Sequence, residues 1–217
     1  MQPMRNAIRL IVPLTLVAVA GCFGLGRGEA PQRHYVLGVG PHPENPTSAG
    51  PTGEVSGVAI GLRPLRLAEY LKTPFIVVRQ GPHQIEFSEF NRWGETLDQG
   101  INRTVAGYIA GREPFRSVDF APYPPRAKHE YVIQLQILRF EGLEPDETAI
   151  TKGEALLLAT WEIFRGEDGA MLARGTTEYH GKGWTVGDYD GLVSLLETGL
   201  SELADDVVAR LESVIAP

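Results

Sequence analysis

The sequence predicts an α+β fold, in which an antiparallel or mixed β-sheet carries two amphipathic helices mainly on one face. Stretches with the composition of strands outnumber helical stretches and follow one another in runs. Apolar residues recur at helical spacing along two clear stretches, residues 97–109 and 192–211. Because the chain contains no internal repeat, one sheet and two helices are assigned to a single domain.

A secretory signal opens the chain. Arg5 and Arg9 supply positive charge, and residues 10–18 form an apolar run that is too short to span a bilayer as a helix. Small residues follow this run and lead to the single cysteine, in the order Val19, Ala20, Gly21, Cys22. This order is similar to the bacterial lipobox, in which the signal is cleaved immediately before the cysteine.

The lipobox similarity implies that residues 1–21 are a cleaved lipoprotein signal peptide and that Cys22 is lipidated. Its thiol takes a diacylglycerol and its freed amine a further acyl chain such as palmitate. At roughly 0.8 kcal/mol per buried methylene, two or three chains hold a protein firmly to a membrane. Two alternatives stay open: a buried Cys22 in an uncleaved anchor, or a chance cysteine after an ordinary signal. Phe23 stands where an acidic residue would retain a lipoprotein in the inner membrane, which favours the outer membrane.

Composition indicates the domain organisation and the possible partners of the part of the chain beyond the anchor. Residues 22–32 are Gly-rich and polar and predict a lipidated leash, and residues 33–217 predict a single domain. Without residues 1–21, the chain has 196 residues with 18 basic and 27 acidic side chains, so its net charge changes from −7 to −9. This acidity excludes nucleic acid as an expected partner. Once Cys22 is acylated, no thiol remains for a disulfide or a thiolate metal site.

The first part of the domain is predicted to be mostly strands. The runs are residues 35–37, 55–62, 75–79 and 84–90, and turn-forming residues at 80–83 make the last two a hairpin. Residues 64–71 form a helical turn or an extended crossing, which Pro74 closes.

The remaining elements alternate between the two predicted helices and further strands. A helix begins near Leu97 and ends at Gly111, before a short strand at 115–120. Residues 131–140 alternate most strongly and predict a half-buried strand. The apolar run 155–164 predicts a central strand covered on both faces, and a turn leads from it into a strand at 171–179. The long second helix opens near Asp188 or Asp190.

Side chains capable of catalysis or metal binding do not cluster in the sequence. Five histidines, at positions 34, 42, 83, 129 and 180, stand singly and lack the paired spacing of a metal site. Neither a nucleophile elbow nor a phosphate-binding loop has the required spacing. We therefore expect no enzymatic activity, no cofactor and no metal. Trp93, Tyr123 and Trp184 are candidates for a partner surface, with core packing as the alternative for each.

One stretch carries a family resemblance. Residues 85–93 have the order Ile-Glu-Phe-Ser-Glu-Phe-Asn-Arg-Trp, and an amphipathic helix follows from Leu97. Upstream, residues 67–71 have the order Leu-Ala-Glu-Tyr-Leu, and Pro74 closes them. This arrangement resembles the PqiC/YmbA-type lipoproteins, which are auxiliary lipoprotein components of ABC-type transport systems. The chain departs from the expected Tyr-Pro-Trp of that family, since it has Tyr123, Pro124 and Pro125 there.

The resemblance implies a role in transport without catalysis. Family members accompany MCE-type proteins, which form hydrophobic conduits for lipid between the inner and outer membranes. The lipoprotein docks the conduit at the periplasmic leaflet of the outer membrane, and self-association into a homo-oligomeric ring is compatible with this role. Two rival functions stay open: a cell-wall-associated regulator, and a carrier that binds lipid in an apolar cavity. Residues expected to line such a cavity are Val105, Leu135, Ile137, Leu157 and Leu200.

Overall fold

The long strand β7 organises the fold. The computed structural model describes residues 31–38, 57–145 and 152–215, and in these residues nine strands form one mixed sheet with two helices. The strands are β1 Arg33–Tyr35, β2 Val58–Leu62, β3 Arg66–Leu67, β4 Phe75–Gln80, β5 Gln84–Trp93, β6 Phe115–Phe120, β7 Tyr131–Glu144, β8 Lys152–Arg165 and β9 Met171–Thr185. The helices are α1 Leu97–Ala110 and α2 Tyr189–Ile215.

The two edges of β7 differ in how they are paired. Along one edge, β8 runs antiparallel to β7 over almost its whole length, and β9 runs antiparallel to β8. Along the other edge, β2, β3 and β4 pair with β7 one after another, each in parallel orientation. Beyond them, β6 pairs with β2, β5 pairs with β4, and β1 pairs with β5. We call this second side of the sheet the divided edge.

Both helices pack on one face of the sheet, as the sequence predicts. Helix α2 lies across β8 and β9, and α1 contacts β6 and α2. Close approach of α2 requires glycine at position 199, because a Cβ atom there would lie 2.7 Å from the ring of Tyr179. Leu157 and Leu200 are fully buried in the layer between helix and sheet. The predicted α+β class is confirmed.

Several strand predictions need correction, and one of them is β9, which was predicted to end at residue 179 but continues to Thr185 because β8 remains paired with it as far as Lys152. The first strand ends at Tyr35 instead of beginning there, because its pairing with β5 stops at Trp93. Strand β7 continues beyond residue 140 to Glu144, because β8 remains paired with it as far as Leu143 and Glu154. Strand β8 is central but is covered by helices on one face only, so Thr160 and Glu162 on its other face are half-buried. The predicted boundaries of α1 and β6 agree with the structure.

The predicted anchor lies outside the described residues. This applies to the signal peptide, to Val19, Ala20, Gly21 and Cys22, and to nearly all of the leash. From Gln32 onward the chain forms one compact unit. Among the described residues, no helix has the length and apolarity needed to cross a bilayer.

Candidate functional site at the divided edge

The β4–β5 hairpin contains a large bulge. Val77 lies opposite Phe87, whereas Phe75 lies opposite Arg92, so two steps along β4 correspond to five steps along β5. The extra residues of β5 therefore protrude from the ladder. Within the bulge, the side-chain amide of Asn91 donates a hydrogen bond of 2.8 Å to the hydroxyl of Ser88. This bond closes the protruding segment on itself.

Aromatic side chains are exposed on this hairpin. Phe87 and Phe90 each retain 40% of their accessible surface. The ring of Phe87 lies 6.4 Å from that of Phe75, and the guanidinium of Arg92 lies 4.7 Å from the centre of the Phe75 ring. A cation–π contact of this kind contributes about 0.5–1 kcal/mol at an exposed site. We call Phe75, Phe87, Phe90 and Arg92 the aromatic strip. Aromatic and arginine side chains are the types enriched in protein interfaces.

An apolar cleft of about 590 Å³ lies beside the end of β5. Trp93 forms part of its wall and packs against Phe140, with ring centres 6.0 Å apart. The backbone N–H of Trp93 donates to the carbonyl of Pro74 at 2.8 Å, which holds the two sides of the cleft together. We call this the Trp93 cleft. Its lining residues are Leu65, Leu67, Leu71, Lys72, Thr73, Pro74, Trp93, Gly94, Glu95, Thr96, Leu97 and Asp98.

Charged groups border the Trp93 cleft. The Arg103 guanidinium donates to both carboxylate oxygens of Glu95, at 2.5 and 2.6 Å, and to the carbonyl of Leu37 at 2.8 Å. The hydrogen bond with Glu95 raises the pKa of Arg103 above its ordinary value. On the opposite rim, the ammonium of Lys72 lies 2.5 Å from the carboxylate of Glu69, and both groups are exposed. The cleft therefore has apolar walls and a rim with both signs of charge.

A buried carboxylate joins the strands of the divided edge on the sheet face opposite the helices. Glu141 is fully buried, and its Oε1 accepts hydrogen bonds from Arg79 at 2.6 Å and from Arg139 at 2.9 Å. Its Oε2 accepts a bond of 2.7 Å from the hydroxyl of Tyr70. Burial, and then this bond to Glu141, raises the pKa of Tyr70. Since the donors come from β4, β7 and the 3-10 turn at Glu69–Leu71, Glu141 connects three segments. We call these four residues the Glu141 cluster.

The three aromatic residues predicted for a partner surface pack against different neighbours. Trp184 is only 1% exposed, and its indole donates to the carbonyl of Asp188 at 2.8 Å, so it belongs to the core and the surface prediction is wrong for it. Trp93 is 6% exposed and contributes only to the wall of the cleft. Tyr123 is half-buried and packs on His129, with ring centres 4.6 Å apart.

Sequence reasoning missed the exposed members of the aromatic strip. Phe87 and Phe90 are three residues apart, so strict strand alternation would place them on opposite faces. The bulge that interrupts this alternation depends on pairing with β4, which no local pattern specifies. A usable signal was present nonetheless, because both residues lie within the stretch 85–93 that carries the family resemblance.

The arrangement offers surfaces for binding. In the part of the chain that the structure describes, no three His, Cys, Asp or Glu side chains converge as metal ligands. His129 bonds to Asp119 at 2.8 Å, and His180 bonds to Glu154 and Glu178 at 3.0 and 3.1 Å. The chemically distinctive features are thus an exposed aromatic strip and an apolar cleft.

Comparison with known proteins gives one family and several similar folds. Residues 35–208 match the family model described as ABC-type transport auxiliary lipoprotein component. A crystal structure from Xanthomonas campestris, of family model DUF330, superposes with a TM-score of 0.62 at 14% identity, covering 76% of this chain and 90% of that one. The crystal structure of an uncharacterized protein gives a TM-score of 0.58 at 16% identity, covering 71% and 92%. At these identities the likeness shows the fold alone. No match was found among the curated proteins.

Proposed function

Because the chain belongs to the family of ABC-type transport auxiliary lipoprotein components, we propose that it docks an MCE-type lipid-transport protein at the outer membrane. Family membership agrees with the resemblance to PqiC/YmbA-type lipoproteins. In this proposal, acylated Cys22 holds the domain at the periplasmic leaflet, and the protein works by binding and not by catalysis. Self-association stays a prediction, which a mass measurement on the purified acylated protein would test.

The observation that carries the proposal is the exposed aromatic strip. Exposure of large apolar side chains to water is unfavourable. Burial of these side chains against a partner stabilises the complex by roughly 25 cal/mol per Å² of apolar surface. Phe87 and Phe90 retain two fifths of their surface in the isolated domain. Glu86 and Glu89, which flank them, are also exposed and supply a polar border. An apolar centre with a polar border is the usual anatomy of a protein interface.

The tether enters the domain beside this strip. Strand β1 begins at Arg33, which lies opposite Asn91, the neighbour of Phe90. The eleven residues of the leash, 22–32, span at most about 40 Å when extended. A tether of this length keeps the strip close to the membrane and raises its effective concentration for a partner that reaches the same membrane. Modest intrinsic affinity is then sufficient for docking.

The alternative of a lipid carrier needs a different site from the one that the sequence suggested. Leu135, Ile137 and Leu157 are each at most 1% exposed and pack in the core. Val105 and Leu200 are likewise fully buried. The Trp93 cleft lies elsewhere and is large enough for a small ligand, since ligand sites typically measure about 300–1,000 Å³. This cleft is the observation that favours lipid binding as an accompanying property.

The anchor is tested by Cys22→Ser in the full-length protein. We expect the variant to lose its acyl chains and to appear in the soluble fraction, whereas the wild-type chain floats with outer-membrane vesicles on a density gradient. Wild-type protein in the inner-membrane fraction would contradict the proposed location. A membrane-bound variant that keeps transport activity would contradict the role of Cys22.

Docking is tested by placing a photoreactive benzoylphenylalanine at position 90 of the acylated protein. Position 120 is the matched control, because Phe120 is 45% exposed on β6, at the other end of the divided edge. We expect illumination to join an MCE-type protein, identified by mass spectrometry, to position 90 and not to position 120. Equal yields at both positions, or no MCE-type adduct at position 90, would overturn the proposal.

A further inference from the structure

We infer that the Trp93 cleft binds one acyl chain of a zwitterionic glycerophospholipid. The inference deepens the proposed function, on which it depends for the source of the lipid. It concerns a different surface from the aromatic strip, so the two can fail separately. A lipid site in an anchored docking component would allow the domain to hold lipid at the point where the transport partner meets the membrane.

The walls of the cleft match a hydrocarbon chain. Leu65, Leu67 and Leu71 come from β3 and its flanking segments, and Trp93 and Leu97 face them from the β5–α1 connection. Leu65 and Leu67 are half-buried, so they have surface left for a ligand to cover. The volume of about 590 Å³ falls within the usual range for small-molecule sites. The cleft therefore has both the chemistry and the size for one chain.

Away from the first turn of α1, backbone pairing around the cleft favours an acyl chain over a peptide. The N–H of Trp93 already donates to Pro74, and the N–H of Gly94 donates to Tyr35 at 2.7 Å. The N–H of Leu71 likewise donates to Ala68 at 2.9 Å. A peptide segment entering an apolar site must satisfy its own polar backbone groups or lose free energy. An acyl chain has no polar backbone groups, so it loses no free energy when the N–H groups of the cleft are already paired.

The polar groups on the rim of the cleft complement a headgroup that carries one positive and one negative charge. Helix α1 begins at the cleft, and the Thr96 side chain makes no capping hydrogen bond to its first turn. The first N–H groups of a helix attract anions such as phosphate. Lys72 on the facing rim is already paired with Glu69, and Asp98 adds an anion beside α1. Glu95 is already neutralised by Arg103. A phosphate together with an ammonium group complements this set.

The test uses the full-length acylated protein in vesicles of phosphatidylethanolamine and phosphatidylglycerol. A trace of phosphatidylethanolamine carries a photoreactive diazirine in one acyl chain, and mass spectrometry locates the adducts. We expect adducts on the half-buried Leu65 and Leu67 and on Trp93. Leu67→Trp, which fills the cleft, should lower them at least about tenfold, corresponding to about 1.4 kcal/mol. The matched control, Leu172→Trp, places the same ring at a half-buried position on β9 and should leave the adducts unchanged.

Thermal unfolding of both variants verifies that they are folded. Several outcomes of the crosslinking experiment would overturn the inference. These are adducts spread evenly over the surface, adducts that Leu67→Trp does not lower, and a protein partner joined to a photoreactive residue at position 67. Adducts that appear in the cleft only after Cys22→Ser would assign it to the protein's own acyl chain instead. If the cleft adducts are absent while position 90 still joins the MCE-type protein, docking stands and lipid binding fails.

Discussion

The two edges of β7 differ in regularity, and this difference separates stability from recognition. On one edge, a single partner, β8, pairs with β7 from Arg165 to Glu154 with one bulge between Ile137 and Arg139, and α2 covers the resulting sheet. On the other edge, β3 contributes only Arg66–Leu67, and the strands beside it contain a bulge and border a cleft. Nearly continuous pairing leaves little surface unburied, whereas interrupted pairing leaves side chains and cavities open to solvent. We expect substitutions at the two edges to affect different properties.

The largest effect on stability is expected at the regular edge. Trp184→Ala removes a side chain that is 1% exposed and that packs closely over Gly142 and Gly153. The lost contacts and the cavity should lower the free energy of unfolding by about 3–5 kcal/mol. Urea denaturation followed by circular dichroism measures this change. A loss below about 1 kcal/mol would show that the regular edge does not carry the stability.

Glu141→Gln tests whether the Glu141 cluster stabilises the divided edge. The substitution leaves Arg79 and Arg139 without their carboxylate, and we expect a loss of about 2–3 kcal/mol. This is less than for a fully buried pair, because both arginines retain some contact with solvent. Glu144→Gln is the matched control, since Glu144 is a half-buried neighbour on the same strand. Equal losses in the two variants would contradict a special role for the Glu141 cluster.

Phe90→Ser should lower stability much less than Trp184→Ala. Its side chain keeps 40% of its surface exposed on the bulge, so only part of its burial is lost, and we expect the free energy of unfolding to fall by about 1 kcal/mol. The same urea titration applies, with Phe120→Ser as the control. If Phe90→Ser unfolded the domain as Trp184→Ala is expected to, the strip would be a structural element and the proposed contrast would be lost.

The smallest effect on the free energy of unfolding is expected from the titration of His180, which lies on the exposed surface of the regular edge. Hydrogen bonds from Glu178 and then Glu154 raise the pKa of His180 above its ordinary value of 6.5. The charged form is thus favoured by folding, so the contribution is fully present below pH 6.5 and disappears as the pH rises through the raised pKa. His180→Asn should abolish this part of the pH dependence of unfolding. An unchanged pH profile would show that these exposed contacts do not contribute.

Patterns within one element were sufficient to predict the regular parts of the fold. The α1 periodicity from Leu97 and the stop at Gly111 correspond to the observed helix, because both signals are local. The alternation along residues 131–140 predicted a strand, which corresponds to the first part of β7. The strand order at the divided edge was not predictable, since β2, β3 and β4 reach β7 only through tertiary contacts.

The candidate site was harder to predict than the fold. Glu141 directly follows the predicted strand 131–140, and its local sequence does not indicate that it is buried. Its partners Tyr70 and Arg79 lie 71 and 62 positions away, so no local pattern could identify the cluster. Trp184 was a candidate for a partner surface, yet Gly142 and Gly153 provide the space that buries its ring. The aromatic strip was hidden by a bulge that exists only through pairing.

Copurification with the acylated protein tests the central claim most directly. The double variant Phe87→Ser/Phe90→Ser is compared with Phe120→Ser and the wild-type chain, after urea denaturation shows that all three are fully folded under the conditions of copurification. We predict that the MCE-type protein copurifies with the wild-type chain and with Phe120→Ser and is lost from the double variant. Undiminished copurification with the double variant would contradict the assignment of docking to the aromatic strip.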